Sequence, residues 1–269
     1  MGVNRPATSV TTQQIQLYRD QGYLQLPHLF SSEEMDALRA ALDHIIEQGR
    51  ARVLGEDREH DEDFKQVFLQ LVNLWVDQPE VRSFTFDRRL ADIARQLAEC
   101  RAVLLHHDQA LIKPGGDWSR ATNWHQDAPY YPMQQSDALS AWIAVDDVST
   151  ENGCLQFLPG SHRFGSLELV PFDVEGASIF DQLAQQGVTL DAAPVSMAMA
   201  AGGVSFHHGC LFHYASPNRT ERPRRAFTII YTPDHVTYDG GWDPAGATDL
   251  EVGEPFSGPQ HPVLSVARR

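Results

Sequence analysis

Ala102-Val103-Leu104-Leu105-His106-His107-Asp108-Gln109-Ala110-Leu111-Ile112 is an apolar, partly β-branched run with a polar centre, and the texture of the chain changes there. Beyond it, the stretches 139–145, 155–158, 203–206 and 226–231 are short, rich in β-branched or aromatic residues, and separated by Gly, Pro, Asn or Asp. Strands of that length and spacing predict a mainly β fold, a barrel or jelly roll. Ahead of the run the chain reads as helical. Thr11 with Gln14, and Ser31 with Glu34, have the spacing of capping boxes. Met35, Leu38, Leu42, Ile45 and Ile46 then fall on one helical stripe. A third helix is expected across Phe64, Val67, Phe68, Leu71, Val72 and Trp75, and a fourth through Leu90, Ile93, Ala94 and Leu97. Tyr23-Leu24-Gln25-Leu26, halted by Pro27, reads as a short strand between helices. The expected architecture is therefore a β core with N-terminal helices packed on one sheet.

One domain over 1–269 is expected: a mostly helical N-terminal region over 1–100, a β core over 101–232, and a Gly-, Asp- and Pro-rich tail over 233–269. Within the core, 165–201 is a long connection of mixed polarity with one modest helix signal at 179–183, the signature of a lid or binding loop. Hydrophobic residues make up 42% and charged residues 21%, enough to build a sizeable core and to exclude disorder. The formal charge of −15 repels phosphate backbones and anionic lipid, so neither nucleic acid nor membrane is an expected partner. A small anion held by one buried Arg remains compatible with that charge. Cys100, Cys154 and Cys210 are odd in number and far apart, which argues against a disulfide framework and for a reducing, cytoplasmic setting. Nothing calls for an obligate protein partner.

Chemistry concentrates in His125-Gln126-Asp127. Residues two apart on a strand project to one side, so an imidazole and a carboxylate can share a metal. His213, in Cys210-Leu211-Phe212-His213 just past Gly209, supplies a second imidazole. Two His and one carboxylate form the facial triad that holds non-haem iron(II) with open positions; structural zinc sites use four ligands and usually Cys. Arg224, in Arg222-Pro223-Arg224-Arg225-Ala226, enters a strand where its guanidinium could clamp a carboxylate bidentately. Arg219 and Arg222 read as solvated loop. Among the remaining histidines, His28, His44, His60, His235 and His261 read as surface residues. His106-His107 and His207-His208 are strand neighbours pointing to opposite faces, so neither pair chelates one metal and packing is the expected role, with one member of each free to line an interior.

Taken together, Asn123-Trp124-His125-Gln126-Asp127, Asn152-Gly153-Cys154-Leu155 leading to Pro159-Gly160-Ser161-His162, and His213 through Asn218 to Arg224-Arg225 resemble the phytanoyl-CoA dioxygenase superfamily, which includes ectoine hydroxylases. The resemblance runs from the Tyr18 region to about Tyr231. It implies a double-stranded β-helix, a jelly roll of the cupin-like barrel type, carrying an iron(II)- and 2-oxoglutarate-dependent oxygenase. Such an enzyme hydroxylates or otherwise oxidises an unactivated C–H of a small-molecule substrate while 2-oxoglutarate and O2 become succinate and CO2. Carried over by position, it makes His125, Asp127 and His213 the iron ligands and Arg224 the anchor for the far carboxylate of 2-oxoglutarate. Gln109, Trp142 and, by a looser match, Gln66 would line the co-substrate. Many relatives have a serine two residues after the distal histidine; here Ala215 stands there and Ser216 follows. Either the strand bulges, or Arg224 works with another partner such as Thr228. Pro159-Gly160-Ser161-His162 reads as a turn. Trp118, Tyr130, Tyr131 and Phe164 fall near the expected mouth. Two alternatives stand beside this reading: an acyl-CoA hydroxylase, which needs a basic surface for CoA, and a non-redox cupin-like isomerase or binding protein, which needs the triad without the Arg224 clamp.

Overall fold

The computed structural model describes residues 9–48, 52–53, 68–117, 119–170, 178–185, 187, 192–246 and 249–267. Helices α1 (Thr12–Gln21) and α2 (Ser32–Glu47) start at the two capping boxes. The Thr11 N–H donates to Gln14 Oε1 (2.8 Å) and the Ser31 N–H to Glu34 Oε2 (2.8 Å), while each hydroxyl accepts from the third helical N–H. Gly22 ends α1 at φ +82°, where a Cβ would lie 2.5 Å from the His162 ring. Strand β1 (Tyr23–Leu26) follows at once.

Next come β2 (Arg52–Val53), β3 (Leu69–Val72), and helices α3 (Leu74–Asp77), α4 (Pro79–Thr85) and α5 (Arg88–Leu97). The long run that opens the β region is β4 (Ala102–Lys113). After it lie β5 (Thr122–His125), β6 (Leu139–Ala144), β7 (Leu155–Phe157), helix α6 (Ile179–Gln185), β8 (Val195–Ser196), β9 (Val204–His208), β10 (His213–Ala215), β11 (Arg224–Pro233) and β12 (Val263–Val266). An eight-stranded sheet runs β1-β9-β6-β11-β4-β3-β2, with β12 also on β4, and faces a four-stranded sheet β5-β10-β7-β8. Every ladder is antiparallel, and among the described residues the two sheets share no strand. The result is a two-sheet jelly roll and not a closed barrel.

Strand alternation gives the large sheet two jobs. Phe227, Ile229 and Tyr231 of β11, with Leu105, Ala110 and Ile112 of β4, pack against Leu38 and Leu42 of α2 and Leu90 and Ile93 of α5. On the opposite face, Trp142, Ala144 and Ala226 meet Leu155 and Phe157 of the small sheet. Arg225 points to the helix side, where its guanidinium takes both oxygens of Asp43 (2.7 and 3.0 Å) and one of Asp146 (3.1 Å), tying α2 to β11. Arg224 points the other way.

The third expected helix does not form as such. Phe64 and Val67 lie outside the described residues, and Leu69–Val72 is a strand added to the edge of β4. Asn73, at φ 56°, is left-handed and separates that strand from the one-turn α3. Three-and-four spacing suits both outcomes, and the long-range pairing decides. Asp108 fixes the junction: its carboxylate accepts from Trp75 N–H (3.0 Å) and the Thr85 hydroxyl (2.6 Å), and burial pushes its pKa up to about 7.

Residues 165–170 and α6 cover one end of the small sheet, with Val170, Ile179 and Leu183 packed on Leu158 and Phe212. The tail beyond Pro233 wraps the molecule: Val236 and Phe256 bury against Met133 and Ile230, and β12 returns to β4. Among the described residues, no helix is long and apolar enough to cross a membrane.

Candidate metal and co-substrate site

His125, Asp127 and His213 come together between the sheets, each offering a ligand atom within 4.8 Å of the others. Two strands cause this: His213 on β10 sits directly opposite His125 on β5, with ring centroids 4.1 Å apart. Asp127 arrives differently from the strand alternation expected of it. β5 stops at His125, and Asp127 has helical backbone angles (φ −77°, ψ −37°) at the head of a 3-10 turn, Ala128–Tyr130. Gln126 holds that turn, donating to the carbonyls of Cys210 and Gly165 (both 2.7 Å) and accepting from Leu167 N–H (2.9 Å). The residue between two site groups thus also ties down the start of the 165–201 segment.

Each imidazole is oriented by its own backbone. His125 Nδ1 lies 2.7 Å from the Asn123 carbonyl and His213 Nδ1 2.9 Å from that of Leu211, so both Nδ1–H groups donate and both Nε2 lone pairs face Asp127. Nε2 to Oδ1 distances are 3.7 Å for His125 and 3.4 Å for His213. The other carboxylate oxygen, Oδ2, accepts from Ser140 Oγ (3.2 Å) and His207 Nε2 (3.3 Å). Oδ1 is left aimed at the two imidazoles. Burial, then the charge of His213, pushes His125 down to about 3. Burial opposes charge on Asp127 too, but His213 and His207 hold its carboxyl well below the usual range. For His213, burial is outweighed by the Asp127 charge, and its pKa rises. Two imidazole nitrogens and a charged oxygen converging this way fit a divalent metal.

His207 carries no signal in the sequence beyond its alternation, yet it stands in contact with the site carboxylate. Its removal is expected to leave Asp127 free to turn, lowering iron(II) affinity about 10- to 100-fold, as loss of such outer partners does. Activity of His207→Ala titrated against iron(II) checks this, with recovery at high iron.

Beside the triad opens a cavity of about 640 Å³, its solvent-exposed mouth included, lined by Gln70, Gln109, Thr122, Trp142, Arg224 and Thr228. Arg224 is 4% exposed, its Nε and Nη1 have no hydrogen-bond partner, and its guanidinium lies 5.4 Å from the Trp142 ring. Burial lowers its pKa to about 10, still charged at neutral pH. The buried Thr228 hydroxyl, two turns of the pleat along the same face of β11, is likewise unpartnered. A buried cation and a hydroxyl with nothing to bind are a cradle for a carboxylate. Ser216 does not join them: its hydroxyl donates to the Thr150 carbonyl (2.9 Å), although the β10–β5 register does shift between His213 and Ala215. Arg219 and Arg222 are exposed. Gln66 and Trp118 lie outside the described residues. Gln70 on β3, hidden by the helical reading of that stretch, supplies a cavity amide and donates to Gln109 Oε1 (2.5 Å). Tyr130 anchors its loop by donating to the Val170 carbonyl (3.0 Å), and Phe164 stacks on Phe212.

Residues 18–226 match the phytanoyl-CoA dioxygenase (PhyH) family. The chain belongs to that family. Phytanoyl-CoA dioxygenase family enzymes use iron(II), 2-oxoglutarate and O2, and this chain is accordingly an iron(II)/2-oxoglutarate-dependent dioxygenase, an oxidoreductase. It is 27% identical over 261 residues to the phytanoyl-CoA dioxygenase domain-containing protein 1 of Danio rerio, covering 82% of this chain and 89% of that one. It is 26% identical over 248 residues to the ectoine dioxygenase of Bordetella parapertussis, covering 86% and 78%. Among solved structures, the non-heme alpha ketoglutarate dependent carbocyclase SnoK from nogalamycin biosynthesis superposes with a TM-score of 0.79 at 25% identity, covering 98% of this chain and all of that one. The family match ends at Ala226, so the tail wrapped over β4 lies beyond it.

Proposed function

We propose that this dioxygenase oxidises an unactivated C–H bond of a small metabolite or natural-product intermediate, with His125, Asp127 and His213 as the iron ligands. The observation that carries the assignment is the pairing, in one cavity, of a cluster of two histidines and one aspartate with a buried, unpartnered Arg224 and Thr228. A binding protein or isomerase built on the triad alone has no use for that cation. Iron(II) held by His125, Asp127 and His213 would supply, together with 2-oxoglutarate and O2, the oxidising power for breaking the substrate C–H bond, with succinate and CO2 as the co-products.

The protein's own contribution is placement. His125 and His213 present Nε2, each locked by a backbone carbonyl, and Asp127 presents Oδ1, locked through Oδ2 by Ser140 and His207. Arg224 and Thr228 would receive the far carboxylate of 2-oxoglutarate, with Gln109 and Gln70 on one wall and Trp142 beneath the guanidinium. Residues 165–201 would act as a lid within one dioxygenase unit spanning 1–269. Gln126 couples that lid to the metal turn, so substrate fit and ligand geometry depend on one side chain.

A charge of −15 disfavours a CoA-bearing substrate, and likeness to a natural-product carbocyclase supports a free one. Succinate release measured across a panel of cyclic amino-acid-like compounds, polyketide-type scaffolds and CoA thioesters tests this. Stimulation by one or more free compounds is expected; stimulation by CoA thioesters alone would overturn the substrate class while leaving the enzyme class standing.

A further inference from the structure

A β-bulge in β4 sets up a second cluster of metal-binding groups. Ile230 pairs with His107 but Tyr231 pairs with Leu105, so His106 is the extra residue. Leu105 and Ala110 both face the helices, and the bulge turns His106 and His107 to the same side, their rings 4.9 Å apart. Neighbouring histidines do not diverge here as regular alternation requires. His261, expected at the surface, is 1% exposed and lies beside His106 with ring centroids 5.6 Å apart. Asp243 completes the group at 4% exposure.

We propose that His106, Asp243 and His261 form a second divalent-metal site, with three protein ligands and one position left to water in place of the four protein ligands usual in structural zinc sites, that fastens the C-terminal tail onto β4. Three facts carry this. First, the three residues each offer a ligand atom within 4.8 Å of the others. Asp243 Oδ2 lies 3.1 Å from His261 Nε2, and Oδ1 lies 3.8 Å from His106 Nδ1. Tetrahedral zinc bonds of about 2.0–2.1 Å set ligands roughly 3.3 Å apart, between those two separations.

Second, the polar atoms are buried and lack hydrogen bonds: both ring nitrogens of His106, Asp243 Oδ2 and His261 Nε2. Such orphans each cost free energy unless something binds them. His261 Nδ1 is 3.2 Å from the Leu105 carbonyl, so its hydrogen is spent there and the Nε2 lone pair faces a carboxylate lone pair. A cation between them, a proton on Nε2 or a metal ion, satisfies both atoms, and only a metal ion also engages the unpartnered ring of His106.

Third, outer contacts resemble those of a built site. The Ala245 N–H donates to Asp243 Oδ1 (2.8 Å), and Phe256 packs edge-on against both imidazoles (5.7 and 5.0 Å) in a largely apolar surround. Asp243 and His261 both come from the tail, past the family-matched residues, whereas His106 is in the core. Tyr131 packs on His106 (5.2 Å) and on His107 (5.8 Å), so the staple would also brace the wall next to the iron site.

The test uses the full chain with the first site removed by His125→Ala and Asp127→Ala. Titrated with Zn2+ against a chromogenic chelator, this chain is expected to bind one equivalent tightly and to melt at a higher temperature with Zn2+ than after chelation. Co2+ in its place is expected to give visible d–d absorption. Adding His261→Ala is expected to abolish the bound equivalent, with circular dichroism confirming the fold. Absence of tight Zn2+ binding by the first-site-deleted chain overturns the proposal without any appeal to the His261 variant, as does full retention of Zn2+ by a folded His261→Ala chain.

Discussion

Asp127→Ala is expected to reduce succinate formation to the background without enzyme, and His125→Ala to do the same. A bound metal contributes several kcal/mol of charge stabilisation, so losing it costs about 10³-fold or more. Asp127 should be the most sensitive of the three. Its Oδ1 faces both imidazoles, its Oδ2 is held by Ser140 and His207, and its negative charge offsets a divalent ion that two neutral imidazoles cannot. Asp127→Asn keeps the shape and both supporting contacts' positions while removing the charge, and is expected to lose most of the iron affinity as well. Metal content measured alongside succinate separates loss of iron from loss of fold. Wild-type succinate release by folded His125→Ala or Asp127→Ala would remove these residues from the metal.

The second large effect belongs to Arg224. Removing one partner of a buried charge pair costs about 2–5 kcal/mol, so Arg224→Ala is expected to raise the KM for 2-oxoglutarate by about two orders of magnitude or more. Arg224→Lys should recover little, because a single ammonium cannot reproduce the two-pronged guanidinium contact beside the Trp142 ring. Thr228→Val removes a hydrogen bond to a charged group, worth about 1.5–3 kcal/mol, and so raises the same KM by roughly 10-fold or more. Ser216→Ala is the control. Its hydroxyl is engaged with the Thr150 carbonyl, and the KM for 2-oxoglutarate should not move. Initial rates at varied 2-oxoglutarate with saturating iron(II) check all four; a KM shift in Ser216→Ala without one in Thr228→Val would reverse the assignment.

How far the sequence alone reaches follows from the range of the interactions involved. Capping boxes at Thr11 and Ser31 and the α2 stripe are legible because their deciding contacts lie within a few residues, and the strands at 23–26 and 102–112 because apolar and β-branched runs mark them, although their pairing partners are far away in sequence. The segment around Phe68 to Trp75 is misread because its apolar spacing suits helix and strand alike, and pairing with β4 settles the matter. Gln70 is lost with it. His125, Asp127, His213 and Arg224 stand out by residue type and spacing, yet Asp127 reaches the cluster through a helical turn and not by strand alternation. His207 enters only when β9 is laid beside β6, which brings it to Ser140 and Asp127. The His106–Asp243–His261 group depends on a bulge and on a tail that folds back across β4. Neither leaves a local trace: a bulge is one residue of register between strands far apart in sequence, and His261 reads as polar surface until its partner is known.

The central claim is that one cavity holds iron(II) and 2-oxoglutarate together, the metal on His125, Asp127 and His213 and the far carboxylate on Arg224. Anaerobic titration of the iron(II)-loaded protein with 2-oxoglutarate tests it most directly, without knowledge of the primary substrate. A weak visible charge-transfer band that saturates at one equivalent per chain, and that needs far more 2-oxoglutarate in Arg224→Ala, is the predicted result. Tight iron binding with no such band at any 2-oxoglutarate concentration, or a band indifferent to Arg224, would contradict it.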